Sequence, residues 1–361
     1  MGAIVTGWGM CVPPAVLTNG DLAGFLDTDD EWVTSRTGIR ERRISHVGMV
    51  ELSAVAASRA LAAAGVAEDD FDCLIMATAS ADLQIPNSAS RVQLVLGNRS
   101  AAALDTNVGC CGFTYGLAMA NGLIESGVSS RVLVIGAERL TTILDWTQRD
   151  SAILFGDGAA AVVVEPGKPE QGVLGAYLAC DPEPGEALMV GDLGNAAPHE
   201  RRCTPYELHF DGREVFRNAV PGMVKAGHTA LQRAGLSLDD IDLLIPHQAN
   251  LRIVEAVGKK LPIEPARVFT NLQHYGNTSA ASIPLALCEA LEQGRIGSEA
   301  KLLFTAFGAG LTSAAVVLGW GERTEALGNS ERQLPACNLS AVELLQPSLD
   351  FQRRWHREHP D

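Results

Sequence analysis

Aromatic residues are scarce, 5% of 361, so any large core must be built from Ala, Val, Leu and Ile rather than from rings. No apolar run reaches the roughly 18–20 residues that a membrane-spanning helix requires, so no membrane segment is expected. Basic residues are outnumbered: 28 Lys and Arg face 43 Asp and Glu, for a formal net charge of −15. That balance excludes broad nucleic-acid binding, although a local basic patch remains compatible with it. The eight cysteines form no CxxC and no Cys/His ligand spacing, which argues against zinc. The opening MGAIVTGWG lacks a charged stretch followed by an apolar one, so a cytoplasmic protein without a signal peptide is expected.

What is there is ordinary for a soluble globular protein: 47% hydrophobic and 20% charged residues, enough for two domains or one fused body. The same pattern occurs twice. Strand AIVTGWG precedes a helix over 51–65, then come strand DCLIMATA, a helix over 87–97, strand AAALDTNV and a helix starting at Cys110. Strands RVLVIGAE and GAAAVVVE close the unit. In the second unit, GVLGAYLAC precedes a helix over 213–235, followed by IDLLIPH, a helix over 249–261, RVFTNL and a helix over 279–293. Strands KLLFTAF and SAAVVLGW close that unit.

Each half therefore reads βαβαβαββ, an α/β fold. Continuously apolar strands between amphipathic helices indicate sheets covered on both faces. The halves run over residues 1–170 and 171–321. The stretch 181–205, rich in Pro, Gly and Asp, reads as a surface loop. Residues 322–361 carry Pro335, Pro347 and Pro360 and read as an appended tail with no assigned role.

Cys110 follows a strand and opens a helix whose inward stripe is Phe113, Leu117, Met119 or Ala120, and Ile124. There the helix dipole and free N–H groups favour thiolate, the nucleophilic form. A buried structural cysteine fits the same position. His247 occupies the matching place at the end of IDLLIPH, and Asn277 lies in HYGNTSAAS, again ahead of a helix. Three complementary polar residues thus gather at related strand ends, where α/β folds hold their ligands. FGDGAAAVVVE has no GxGxxG and runs into a strand, so a nucleotide-dependent dehydrogenase is rejected.

GCCGFTYGLAMA, PHQANLRI, HYGNTSAASIP and AFGAGLT resemble the active-site segments of beta-ketoacyl-[acyl-carrier-protein] synthase III, of the thiolase-like superfamily. DEWVTSRTGIRERR resembles the family's N-terminal segment, and the likeness runs from about residue 3 to 320. The resemblance implies a five-layered αβαβα body and a cytoplasmic homodimer with no cofactor beyond the coenzyme A thioester that is its substrate. An acyl-CoA would acylate Cys110, and malonyl-acyl carrier protein would then condense with loss of CO2. Cys111 stands where the family has small residues and reads as a space-filling neighbour. His247 and Asn277 would stabilise the enolate. The backbone N–H groups of Cys110 and Ala309 would hold the tetrahedral oxyanion, with Ala309 standing where the family often has Gly. Phe307 would shield the pocket.

Trp32 and Arg149 resemble the pair that sandwiches adenine, while Arg36 and Asn250 resemble further coenzyme A contacts. Arg217, Arg252, Lys259 and Lys260 match positions that dock the carrier protein. Ile85 aligns near an aromatic that closes the acyl pocket from the partner subunit, and its smaller size implies a primer longer than acetyl. The alternative reading is a related thiolase-fold acyltransferase of secondary metabolism, by head-to-head condensation or acyl transfer.

Overall fold

The computed structural model describes residues 2–190 and 208–358. The first half contains β1 (Gly2–Cys11), β2 (Ala15–Thr18), α1 (Asn19–Ala23), α2 (Asp30–Thr37), β3 (Glu41–Ile44), α3 (Met49–Ala64), β4 (Cys73–Ala77), α4 (Ser88–Val95), β5 (Ala102–Thr106), α5 (Gly112–Glu125), β6 (Val132–Arg139), α6 (Arg149–Ala152) and β7 (Asp157–Gly167). The second contains β8 (Gly172–Cys180), β9 (Leu188–Val190), β10 (Leu208–Phe210), α7 (Gly212–Ala234), β11 (Leu243–Pro246), α8 (Leu251–Lys260), α9 (Leu272–Tyr275), α10 (Ser282–Glu292), β12 (Lys301–Gly308) and β13 (Thr312–Gly319). Helix α11 (Ala341–Glu358) follows.

Two sheets result, ordered β1-β7-β6-β4-β5 and β11-β12-β13-β8. β4 pairs in parallel with β5 and β6, and β11 in parallel with β12, while the closing strands are antiparallel. Helices α5 and α10 lie between the sheets, where Phe113, Leu117, Ile283 and Leu287 meet Val134, Phe304 and Val316. Helix α3 covers the outer face of the first sheet and α7 that of the second. This is the five-layered αβαβα order. On α5, Ala120 is buried while Met119 is 36% exposed, so Ala120 is the residue that faces inward.

The structure corrects the sequence reading in three places. RVFTNL does not form the second half's third strand: it makes a single parallel bridge, Leu244 to Val268. A 3-10 turn, Pro265–Arg267, precedes it and α9 follows at once, leaving too short an extended run. The Gln248 side chain takes the place of a ladder partner, donating to Phe269 O at 3.3 Å and accepting from the Asn271 N–H at 3.1 Å. The segment still flanks β11 as β5 flanks β4, so the duplicated order survives with one strand reduced to an edge contact.

Residues 322–358 are also more than an appendage. Arg323 donates to the carbonyls of Thr6 and Ala63, and Arg332 pairs with Glu68 at 2.6 Å. Helix α11 buries Ala341, Leu345 and Leu349 beside Leu17, Ile44 and Trp146. Gln352 holds the Trp146 N–H and the Leu144 carbonyl. Finally, the loop expected over 181–205 contains β9 and a 3-10 turn, Gly185–Ala187, and residues 191–205 lie outside the described residues. Among the described residues, no helix is long and apolar enough to cross a membrane.

Candidate active site

Cys110 lies in a one-turn 3-10 segment, Gly109–Cys111, between β5 and α5. The α-helix itself opens at Gly112, two residues later than expected. Gly109 has φ +51°, a left-handed conformation that glycine adopts without penalty. A Cβ on Gly308 would meet the Cys110 nitrogen at 2.7 Å, so the two backbones touch. That contact brings the N–H groups of Cys110 and Ala309 together. Ala309 is not among the residues of positive φ, so alanine fits this turn without strain.

The expected thiolate is not preformed. Cys110 is only 8% exposed, and burial pushes its thiol up to about 12, with nearby Glu138 adding to the rise. Dehydration outweighs the helix dipole here, so the resting side chain is a protonated thiol. Cys111 is fully buried in the central layer, away from the cavity, as a space-filling residue should be.

His247 follows β11, its N–H donating to Thr305 O at 2.8 Å. Burial holds its imidazole down at about 3, so the ring is neutral. Nδ1 lies 2.6 Å from Ser282 Oγ. That oxygen accepts from the Gln248 N–H at 3.4 Å, which leaves the serine proton for Nδ1. The imidazole proton therefore resides on Nε2, where it can be donated.

Asn277 is fixed the same way. Its Oδ1 accepts from the Ser279 N–H at 2.8 Å, so its amide NH2 is left to donate. Cys110, His247, Asn277 and Phe307 all line one cavity of about 700 Å3. Trp32, Arg36 and Asn250 line it further out, and Ile153, Leu154, Phe210, Val215, Ala219 and Met223 supply much of its apolar wall. Sequence reasoning missed that wall because its residues come from several elements without a shared motif. It also missed Ser282 and Ser279, although both lie within the HYGNTSAAS segment.

The outer residues are less assembled. Arg36 and Arg149 stack on the two-ring system of Trp32, 4.5 and 4.4 Å from the ring centroid. The slot expected to hold an adenine between Trp32 and Arg149 is thus closed by their own contact. Asn250 caps α8, accepting from the Arg252 N–H at 2.9 Å, and donates to Arg36 O at 3.2 Å. Arg252 reaches Ser35 O, Arg217 pairs with Glu214 at 2.6 Å, and Lys259 and Lys260 are exposed in the last turn of α8. Ile85 does not join the cavity of its own chain: it is 86% exposed, on the segment between β4 and α4. Among the described residues, no cluster of His, Cys, Asp or Glu could hold a metal ion.

Two family profiles match, "3-Oxoacyl-[acyl-carrier-protein (ACP)] synthase III" over residues 104–182 and its "C terminal" counterpart over 231–320. The chain is 49% identical over 357 residues to beta-ketoacyl-[acyl-carrier-protein] synthase III 2 of Vibrio cholerae, covering 99% of each chain. It is 46% identical over 324 residues to beta-ketoacyl-[acyl-carrier-protein] synthase III of Roseiflexus castenholzii, covering 88% of this chain and 98% of the relative. The crystal structure of 3-oxoacyl-(acyl carrier protein) synthase III from Pseudomonas aeruginosa superposes with a TM-score of 0.83 at 40% identity. That match covers 89% of this chain and 99% of the other.

Proposed function

The chain belongs to the 3-oxoacyl-[acyl-carrier-protein] synthase III family, and on that premise we propose that Cys110 is its nucleophile, served by His247 and Asn277. It is an acyltransferase that joins an acyl-CoA to malonyl-acyl carrier protein, giving 3-oxoacyl-acyl carrier protein, CoA and CO2. The observation that carries the residue assignment is the convergence of Cys110, His247 and Asn277 on one cavity.

Acylation forms the bond from Cys110 Sγ to the acyl carbon and breaks the thioester bond to coenzyme A. The covalent intermediate replaces one hard step by two easier ones. The malonyl thioester then enters and loses CO2, leaving negative charge on the thioester oxygen. His247 Nε2–H and the Asn277 amide donate to that oxygen. Both are donors already, so neither must first change its protonation state. The carbanion attacks the acyl-cysteine, and the N–H groups of Cys110 and Ala309 hold the resulting oxyanion. A donor of this kind is worth roughly 2.7–4 kcal/mol. Phe307 shields the cavity between the two steps.

Trp32, Arg36, Arg149 and Asn250 receive the coenzyme, with the adenine displacing one face of the closed stack. Arg217, Arg252, Lys259 and Lys260 form the dock for an acidic carrier protein. The protein is a cytoplasmic homodimer in this reading, and Ile85, exposed on its own chain, closes the acyl pocket of the other copy. Being smaller than an aromatic, it admits a primer longer than acetyl. Intact mass measurement after incubation with acetyl-CoA and octanoyl-CoA tests both points. The expected result is an octanoyl adduct on the wild type and none on Cys110→Ala. An adduct on Cys110→Ala overturns the nucleophile, and equal or better turnover of acetyl-CoA overturns the longer primer.

A further inference from the structure

The N-terminal segment DEWVTSRTGIRERR holds a buried cation that the condensation scheme leaves unused. Arg42, in β3, is completely buried. The groups that it donates to are neutral. Its Nη1 reaches the Leu17 carbonyl at 3.2 Å and Asn19 Oδ1 at 2.9 Å, and its Nη2 reaches the Ile153 carbonyl at 2.7 Å. Its Nε has no hydrogen-bond partner among the described residues. Burial pushes the guanidinium down to about 10, so it is still charged near neutral pH. A buried charge held by neutral acceptors alone is costly, and the bond to Ile153 leads towards the active site.

Ile153 begins a strap, residues 153–156, that runs from α6 to β7. Ile153, Leu154 and Phe155 line the cavity. The same strap grips Asn277 along its backbone. The Leu154 carbonyl accepts from the Asn277 N–H at 2.8 Å, and the Gly156 N–H donates to the Asn277 carbonyl at 3.1 Å. Phe155 and Asn277 pair in a parallel bridge. A residue held at both its N–H and its carbonyl has a fixed Cα–Cβ direction, and the Ser279 N–H then orients the amide. Close packing joins these pieces to β3. A Cβ on Gly156 would strike the Tyr275 carbonyl and meet the Arg42 Cβ at 3.0 Å. One on Gly276 would meet the Leu154 carbonyl at 2.7 Å and the Arg42 Cβ at 3.3 Å. With no room for a further methyl between them, a shift at Ile153 is passed to Asn277 rather than absorbed.

We propose that Arg42 is a positioning residue for Asn277, pinning Ile153 so that the strap presents the Asn277 amide to the enolate oxygen. The proposal rests on Asn277 being an enolate donor. Arg42 does not line the cavity, so it acts through the backbone of the strap and not on the substrate. Arginine suits this task because its planar fork sends donors towards β2 and towards the strap at once. Lysine carries a compact charge on a single nitrogen and does not reproduce that spread.

The test is a cycle of Arg42→Lys, Asn277→Ala and the double variant. It is read by CO2 release from saturating malonyl thioester, by Cys110 acylation followed as intact mass, and by melting temperature. Arg42→Lys should slow CO2 release by about 10- to 10²-fold, the range that a misplacement near 1 Å produces, and leave acylation within about threefold. In the Asn277→Ala background the same substitution should slow CO2 release by less than about twofold more, because its target is gone. Arg42→Gln buries no charge, and it takes the place of Arg42→Lys in the cycle if that variant does not fold. Unchanged CO2 release in Arg42→Lys overturns the proposal. So does an equal fractional loss of CO2 release and acylation with a lowered melting temperature, or a loss that persists undiminished on Asn277→Ala. Either marks a residue that only holds the fold. If Asn277→Ala alone releases CO2 at the wild-type rate, the enolate-donor reading fails, and the positioning role with it.

Discussion

The 3-10 turns Gly109–Cys111 and Ser279–Ala281 are the same device built once in each half. Each precedes a helix of the central layer, α5 or α10. Each opens on a residue of positive φ, 51° at Gly109 and 46° at Ser279. They differ in what occupies the equivalent places. The first turn has glycine in the left-handed position and the cysteine next. The second has serine there and Ala280 next. In the first, the absent side chain matters, because a Cβ on Gly109 would meet the Ala309 nitrogen at 3.0 Å, at the expected oxyanion site. In the second, a side chain is kept in the left-handed position, and the N–H of that residue holds Asn277 Oδ1 at 2.8 Å. A duplicated scaffold supplies two identical positions, and the chemistry divides according to which atom each turn keeps.

This division predicts that the halves can be disabled separately. The largest effect should follow His247→Ala or Asn277→Ala, which remove the enolate donors proposed for the second half. CO2 release from malonyl thioester should fall on the order of 10²–10³-fold for each. Cys110 acylation, followed by intact mass, should change far less. Equal loss of both half-reactions would erase the distinction between the turns. A smaller effect should follow Gly109→Ala. It places a side chain at φ +51° and against Ala309, so calorimetry should show a loss of about 1–3 kcal/mol together with slower acylation. Ser279→Ala should leave the melting temperature nearly unchanged, because that turn already accommodates a Cβ. If the two alanine variants melt alike, the turns are not tuned as described.

Much of this arrangement was legible in the sequence, for definite reasons. Continuous apolar strands such as DCLIMATA and KLLFTAF fixed the two covered sheets, and the repeated order placed Cys110, His247 and Asn277 at related ends. RVFTNL misled because its β-branched and aromatic residues read as strand, whereas the flanking turns leave no length for a ladder. The tail misled because its prolines and charges hid a helix whose buried residues, Ala341, Leu345 and Leu349, are spaced four apart. The thiolate expectation failed because helix position is local information and burial is not. The role of Arg42 was invisible for the same reason. Nothing near it in the chain announces that its guanidinium points at residues 17, 19 and 153 rather than at water.

The outer residues proposed to bind coenzyme A make a weaker contrast with the buried floor, and they predict the smallest effect. Trp32 is half-buried between two guanidinium groups, in a place that solvent and salt can reach. A cation–π contact at such a site is worth about 0.5–1 kcal/mol. An adenine entering the stack must also displace a guanidinium that already occupies it, so its net gain is smaller than the full ring contact. Trp32→Ala should therefore raise KM for acyl-CoA only about two- to fivefold. It should leave kcat and CO2 release within about twofold, since no reacting atom is touched. Steady-state kinetics at two salt concentrations would separate the outcomes. An unchanged KM would mean that the adenine never enters the Trp32 stack, and a large fall in kcat would mean that the entrance and the floor are not independent.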